Sequence, residues 1–207
     1  MRITRPVGER LSPPILVYGS QEFGRVVRRL TEDCGRTFQG FVDDWHTGED
    51  VLGRFDAVIE KYRPDRFEFV IAVGYKNLTA RWGVYQRVLN AGYRVATLIH
   101  PSAYVARSAS ILDGAMVMAA ATVDVAATLR ELAVLWPGAV ISHDSEIGEN
   151  CFVSPNATVC GHCRIGRDSF IGAGAVIVDH VKVPGGALVK AGSVFGGGEV
   201  RRSGGEQ

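Results

Sequence analysis

The sequence predicts a two-part fold: a small Rossmann-like parallel α/β unit followed by a parallel β-helix of six-residue repeats. Three observations predict it. An aliphatic residue recurs at every sixth position from Val105 to Val189 without an insertion. Residues 14–98 alternate short apolar runs with amphipathic helical stretches. Of the 25 glycines in the 207-residue chain, 15 lie in its second half. Composition bounds the rest. With 23 Lys+Arg against 22 Asp+Glu the net charge is +1, so no basic surface for nucleic acid is expected. No apolar run reaches the roughly 18 residues a membrane span needs. The opening MRITRPVGER lacks the apolar core of a secretory signal, so a cytoplasmic location is expected. Four cysteines are too few for a disulfide framework in a chain this long.

The elements follow in order. A 1–13 extension leads into the first unit, expected over residues 14–100. Residues 14–18 (PILVY) read as a buried strand running into Gly19, followed by a helix with Phe23, Val26, Val27 and Leu30 on one face. Thr37–Val42 is a second strand ending in Asp43 and Asp44, and Phe55–Tyr62 is a short helix. Phe67–Val73 is a third strand ending at Gly74, a helix runs from about Asn77 to Ala91, and Tyr93–Leu98 closes the unit as a last strand. Strands alternating with helices give a parallel sheet that binds ligands at the strands' carboxyl ends. Gly19, Ser20, Phe23, Asp43, Asp44 and Gly74 gather there, and are the candidate substrate-binding residues. Gly19 and Gly24 serve equally well as a tight strand-to-helix turn. Arg81, on the last helix, is expected either to meet a phosphate or to lie on a solvated face.

The second unit is expected over 101–195, with a flexible tail over 196–207. Four positions after each aliphatic comes a small residue (Ala109, Ala115, Ala121 and onward), and between the two columns stand turn formers such as Gly114, Gly138, Asp144, Asn150 and Asn156. No helix has a period of six. Each hexad is one short strand and a corner, and three hexads close a triangular coil. The aliphatic points inward, and the corner residue tolerates left-handed backbone angles. Five coils stacked at about 4.8 Å make a prism roughly 24 Å tall. Its flat faces favour packing of three copies around an axis, so a homotrimer is expected. His143, third in its hexad, falls at an outward-facing corner, where a merely solvated histidine is equally open. The CxxC of Cys160 and Cys163 lies on hexad positions rather than at the helix start a redox dithiol wants.

This combination, with the linker Leu98-Ile99-His100-Pro101-Ser102-Ala103 and the segment from Trp136 through His143 and Asp144 to Pro155, resembles one bacterial acyltransferase family. It holds the nucleotide-amino-sugar N-acetyltransferases of the bacillosamine and perosamine kind and the sialic acid O-acetyltransferases. The resemblance spans about residues 14–195 and implies a left-handed coil. It implies acetyl-CoA as acyl donor, no metal cofactor, a nucleotide-linked sugar as partner substrate, His143 as catalytic base and Asp144 as its acidic neighbour. Gly161, one coil on from His143, is implied to offer its amide to the oxyanion. Gly161, Ala173, Lys190 and Ala191 are expected along the coenzyme A arm. Two departures stand out. The first loop reads Gly19-Ser-Gln-Glu-Phe-Gly24, placing the Glu22 carboxylate where a pyrophosphate would be repelled. Phe152 occupies a cofactor-side position where several relatives have a second histidine.

The leading expectation is therefore an acetyl-CoA-dependent N-acetyltransferase of nucleotide-linked amino sugars, by direct transfer. Sugar O-acetylation on the same fold, a non-catalytic trimeric scaffold and a γ-carbonic-anhydrase-like metal protein are the alternatives. For the last, His162 and His180 stack one coil apart, but His143 lies one hexad position off their column.

Overall fold

The structure, a computed structural model, describes residues 12–196 and the backbone of Arg201–Arg202. Nearly all of the 1–13 extension and of the 196–207 tail lies outside the described residues; Arg201–Arg202, which falls within that tail, pairs antiparallel with Ala187 and Leu188.

The α/β unit is a parallel sheet of β1 (Ile15–Tyr18), β2 (Phe38–Val42), β3 (Val51–Gly53) and β4 (Glu68–Ile71), in the order β3-β2-β1-β4. Helix α1 (Glu22–Asp33) follows β1, α2 (Phe55–Ile59) follows β3, and α3 (Leu78–Asn90) follows β4 after a 3-10 turn at Tyr75–Asn77. Ile15, Leu16 and Val17 are wholly buried, as strands covered on both faces must be. The structure departs from the expected elements at three points. Edge strand β3, short and half-buried, is not marked by an apolar run. Tyr93–Leu98 is not a strand of this sheet: Val95 makes a single bridge to Phe69, and Leu98–Ile99 (β5) instead pairs with Met116 and Val117 of the prism. Val26 also turns outward at 37% exposure, leaving Val27 and Leu30 as the buried stripe of α1.

The repeats form two-residue strands six residues apart, each paired in parallel with the strand eighteen residues on, as Thr128 with Glu146 and Leu129 with Ile147. Every sixth residue from Gly114 to Gly192 has φ > 0, including the non-glycines Ala120, Ala126, Leu132, Asp144, Asn150, Asn156, His162, Asp168 and His180. These are the predicted corners. The aliphatic column and the small column fill the prism as one core of wholly or almost wholly buried residues, Val117, Ala121 and Val123 through Val189.

The prism has three faces. One, the docking face, carries Met116, Val134, Phe152 and Phe170 against the α/β unit, so that Ile15, Val17, Val27 and Phe41 share a core with them. The second runs through Tyr104, Thr122, Val140, Thr158, Val176 and Val194; it is largely apolar, with Tyr104 58% and Val194 73% exposed. The third carries Ser110, Thr128, Glu146, Arg164 and Lys182.

Arg81 locks the two units together. It neither meets a phosphate nor faces solvent: it is fully buried, donating to the Leu132 carbonyl at 2.8 Å and to Asn150 Oδ1 at 2.6 Å, with its guanidinium 5.0 Å from the Phe152 ring centre. Asn150, held at a prism corner, donates in turn to the Leu78 carbonyl and to Asp168. Burial pushes the Arg81 pKa down to about 9, and the side chain stays charged at neutral pH. Arg81→Ala would open a cavity and orphan two acceptors, so it is expected to cost about 3 kcal/mol of unfolding free energy. Arg81→Met, which keeps most of the stem's volume, should cost clearly less. Urea titration compares the two.

Candidate functional site

Two regions carry the predicted site residues. The first lies at the carboxyl ends of β1, β2 and β4. Gly19, Asp43, Asp44 and Gly74 line a cavity of about 520 Å³ there, with Trp45, His46 and Arg87 around it. Gly19 sits at φ +109, where an added Cβ would stand 2.8 Å from the Ala72 carbonyl oxygen, so the turn needs glycine. Both carboxylates are consumed within the protein. Asp43 Oδ2 accepts from the Ser20 amide and hydroxyl, and its Oδ1 from the Trp45 and His46 amides. Asp44 accepts from the Tyr18 hydroxyl, the Arg87 guanidinium and the Phe55 amide. Both aspartates thus shape the wall of the cavity they were expected to line, held by these internal partners, and Ser20 is bound to Asp43. Exposed Trp45 and His46 at the rim went unnoticed in the sequence, since nothing about their spacing marks them.

A neighbouring cavity of about 650 Å³ shares Gly74, Gln21 and Asn77 with the first and adds Glu22, Phe23, Tyr75, Trp136 and Phe152. Phe23 lies here rather than in the first cavity, stacked on Trp136 with ring centres 5.7 Å apart. Glu22 likewise belongs to this second chamber. Phe152, expected on the cofactor side, is wholly buried between Phe23 and Arg81 and packs the two units together. Tyr75 and Trp136 continue into a third cavity, about 390 Å³, lined by Ala173, Lys190 and Ala191. The three make one trough, from the strand ends to the edge between docking and second faces.

His143 lies elsewhere. The turn holding it joins Val140–Ile141 of the second face to Glu146–Ile147 of the third. Its Nδ1 is 2.9 Å from Asp144 Oδ2, and with the proton on Nδ1 the other nitrogen keeps its lone pair. The imidazole beside it holds Asp144 below the usual carboxylate range. The ring lies over Gly161, where a Cβ would stand 2.8 Å from His143 Cε1, so a side chain there would displace the ring from its place. The Gly161 amide is not free as expected: it donates to Asp179 Oδ1 at 2.9 Å. Asp179 stands eighteen residues after Gly161, so the column arithmetic that found Gly161 would also have found it. Within one chain, then, His143, Asp144 and Gly161 share one edge, while Ala173, Lys190 and Ala191 share another.

Residues 14–88 match the PglD N-terminal domain, and residues 127–161 match the bacterial transferase hexapeptide (six repeats). The chain is similar to the acetyltransferase domain of PglB from Neisseria gonorrhoeae, at 29% identity and a TM-score of 0.80, over 89% of this chain and 91% of that one. The same domain in complex with acetyl coenzyme A matches at a TM-score of 0.79, with 29% identity over 88% and 92% of the two chains. PerB from Caulobacter crescentus, in complex with CoA and GDP-perosamine, shares the fold at 22% identity and a TM-score of 0.71, over 98% of this chain and 100% of that one. The family resemblance read from the sequence is thereby borne out. No helix among the described residues is long and apolar enough to cross a membrane.

Asp43 sets a pH dependence. Burial raises its pKa, but the Ser20 hydroxyl and the Trp45, Ser20 and His46 amides outweigh that and hold it far below the usual carboxylate range. A carboxylate depressed on folding stabilises above its unfolded pKa of about 3.9, and the contribution fades as pH falls below that. The stability gap between the protein and its Asp43→Asn variant should therefore be full at pH 6 and shrink progressively below about pH 4, as measured by urea unfolding across pH.

Proposed function

We propose that the chain is an acetyl-CoA-dependent N-acetyltransferase acting on the amino group of a nucleotide-linked amino sugar, as a homotrimer, with His143 as general base. The reading joins a nucleotide-sugar unit over about residues 14–100 to an acyltransferase prism over 101–195, working in the cytoplasm. One observation carries it: the trough and the His143 edge lie on opposite sides of the exposed apolar second face. A substrate held at the strand ends points along the trough toward Ala173 and Ala191, away from its own chain's His143. Threefold packing through the second face brings a neighbour's His143 edge to that trough and covers Tyr104 and Val194. The resemblance to the PglB domain complexed with acetyl coenzyme A supports the donor, and the amino sugar on the PerB nucleotide supports the acceptor class.

The step balances within a ternary complex. His143 Nε2 takes a proton from the acceptor amine, whose nitrogen attacks the thioester carbonyl. The carbonyl oxygen, becoming anionic, takes the Gly161 amide from Asp179. The C–S bond breaks, and coenzyme A leaves as the thiol with the proton returned from His143. Asp144 orients the imidazole. The pantetheine arm lies over Ala173 and Ala191, with Lys190 available to a phosphate. No acyl-enzyme is needed. Ser145 is spent on the Cys160 carbonyl and the Cys163 amide, and burial pushes the Cys160 and Cys163 thiols up, away from the thiolate.

Thiol release from acetyl-CoA across a panel of nucleotide amino sugars tests the reading, with the matching hydroxy sugars alongside. Release with hydroxy sugars alone would replace N- by O-acetylation. His143→Ala should lower turnover by about 10²- to 10⁴-fold with little change in coenzyme A affinity, and Asp144→Asn should lose less. Retention of about half the activity or more in His143→Ala would overturn the base assignment. Light scattering should give three times the 22.4 kDa chain mass; a stable monomer with full activity would sink the shared site.

A further inference from the structure

We propose that the His143 edge is also a divalent transition-metal site, formed by His143, Asp144 and His162, whose occupation takes the base out of use. The metal site stands on the geometry alone; its inhibitory effect rests on the reading of His143 as base.

The donor atoms of these three side chains lie within 4.8 Å of one another. Asp144 Oδ2 stands between the two imidazoles, 2.9 Å from His143 Nδ1 and 3.9 Å from His162 Nε2. The rings meet nearly at right angles, 86° apart with centres at 5.2 Å, so they converge on the carboxylate instead of stacking on each other. His162 is held in place from below. It and His180 occupy left-handed corners of the same edge on successive coils, at φ 56 and 63, and their rings stack at 4.7 Å, one coil spacing apart. Acyl transfer gives His162 no task, yet it is presented toward the same carboxylate as the base.

The chemistry selects the ion. Two imidazoles and one carboxylate suit zinc, cobalt, nickel or copper, and offer too few oxygens for magnesium or calcium. Tetrahedral zinc at about 2.0–2.1 Å from each ligand wants donors roughly 3.3 Å apart. All three side chains are about half exposed, so small χ rotations suffice to close the gap. Three protein ligands leave the fourth position to water. An ion there spends a His143 nitrogen and the Asp144 oxygen that orients it.

Equilibrium dialysis with zinc and cobalt, and with magnesium as control, tests the site on the intact protein, with transfer activity measured in parallel. One zinc or cobalt per chain is expected, with no magnesium. His162→Ala should weaken binding by about tenfold or more, keep its metal-free transfer activity, and no longer be inhibited by zinc. Absence of saturable zinc or cobalt binding, or equal binding by His162→Ala, overturns the proposal. Zinc binding that His162→Ala and Asp144→Asn both abolish, with transfer untouched by zinc in the unaltered protein, would uphold the metal site and remove His143 from the role of base.

Discussion

The left-handed corner at every sixth residue is the constraint on which the rest of the molecule depends. A β-strand of two residues cannot stand alone; it persists here because each corner returns the chain to the next face and each coil hydrogen-bonds to the one eighteen residues away. That geometry fixes which side chains fill the prism and which stand at its edges. It also costs energy wherever the corner is not glycine, asparagine or aspartate. Leu132 offsets that cost by burial against the α/β unit. His162 and His180 have no such burial, and their corners present imidazoles to solvent at one edge.

Each face then has one destination. Met116, Val134 and Phe152 are wholly buried under the α/β unit, with Arg81 inserted between the units and satisfied by a carbonyl and an amide in place of a carboxylate. A guanidinium over an aromatic ring keeps its charge with fewer hydrogen bonds than it could make: Nε and Nη2 have no partner among the described residues. That arrangement fixes the trough on one edge. The apolar second face, between trough and His143, is the surface a second copy would cover, which makes the distribution of residues around the prism a statement about assembly.

What was legible in the sequence follows from periodicity. The columns, the corners and the outward stance of His143 are all consequences of counting by six, and counting gave them. Tyr93–Leu98 reads as a strand because Tyr93, Val95 and Leu98 are apolar; the sheet needs only Val95 from that stretch, and the prism's first coil claims Leu98. Arg81 was opaque because a helix position carries no sign of what packs on it. Asp43 and Asp44 point toward a ligand by topology, yet Ser20, Tyr18 and Arg87 reach them first, and those partners lie 23 to 43 residues away in the chain.

The Asp179–Gly161 contact bears on how such an edge would favour a transition state over a substrate. In the free protein a carboxylate oxygen holds the Gly161 amide at 2.9 Å. A thioester carbonyl is a poorer acceptor than a carboxylate and gains little by displacing it. As the nitrogen adds and the carbonyl oxygen becomes anionic, it turns into an acceptor of the same strength, and exchange with Asp179 becomes even. On the proposed mechanism the amide would then stabilise the intermediate more than the ground state, which is the differential binding that accelerates a reaction. His143 lies over Gly161, so the proposed base and the proposed oxyanion donor stand beside each other on one edge.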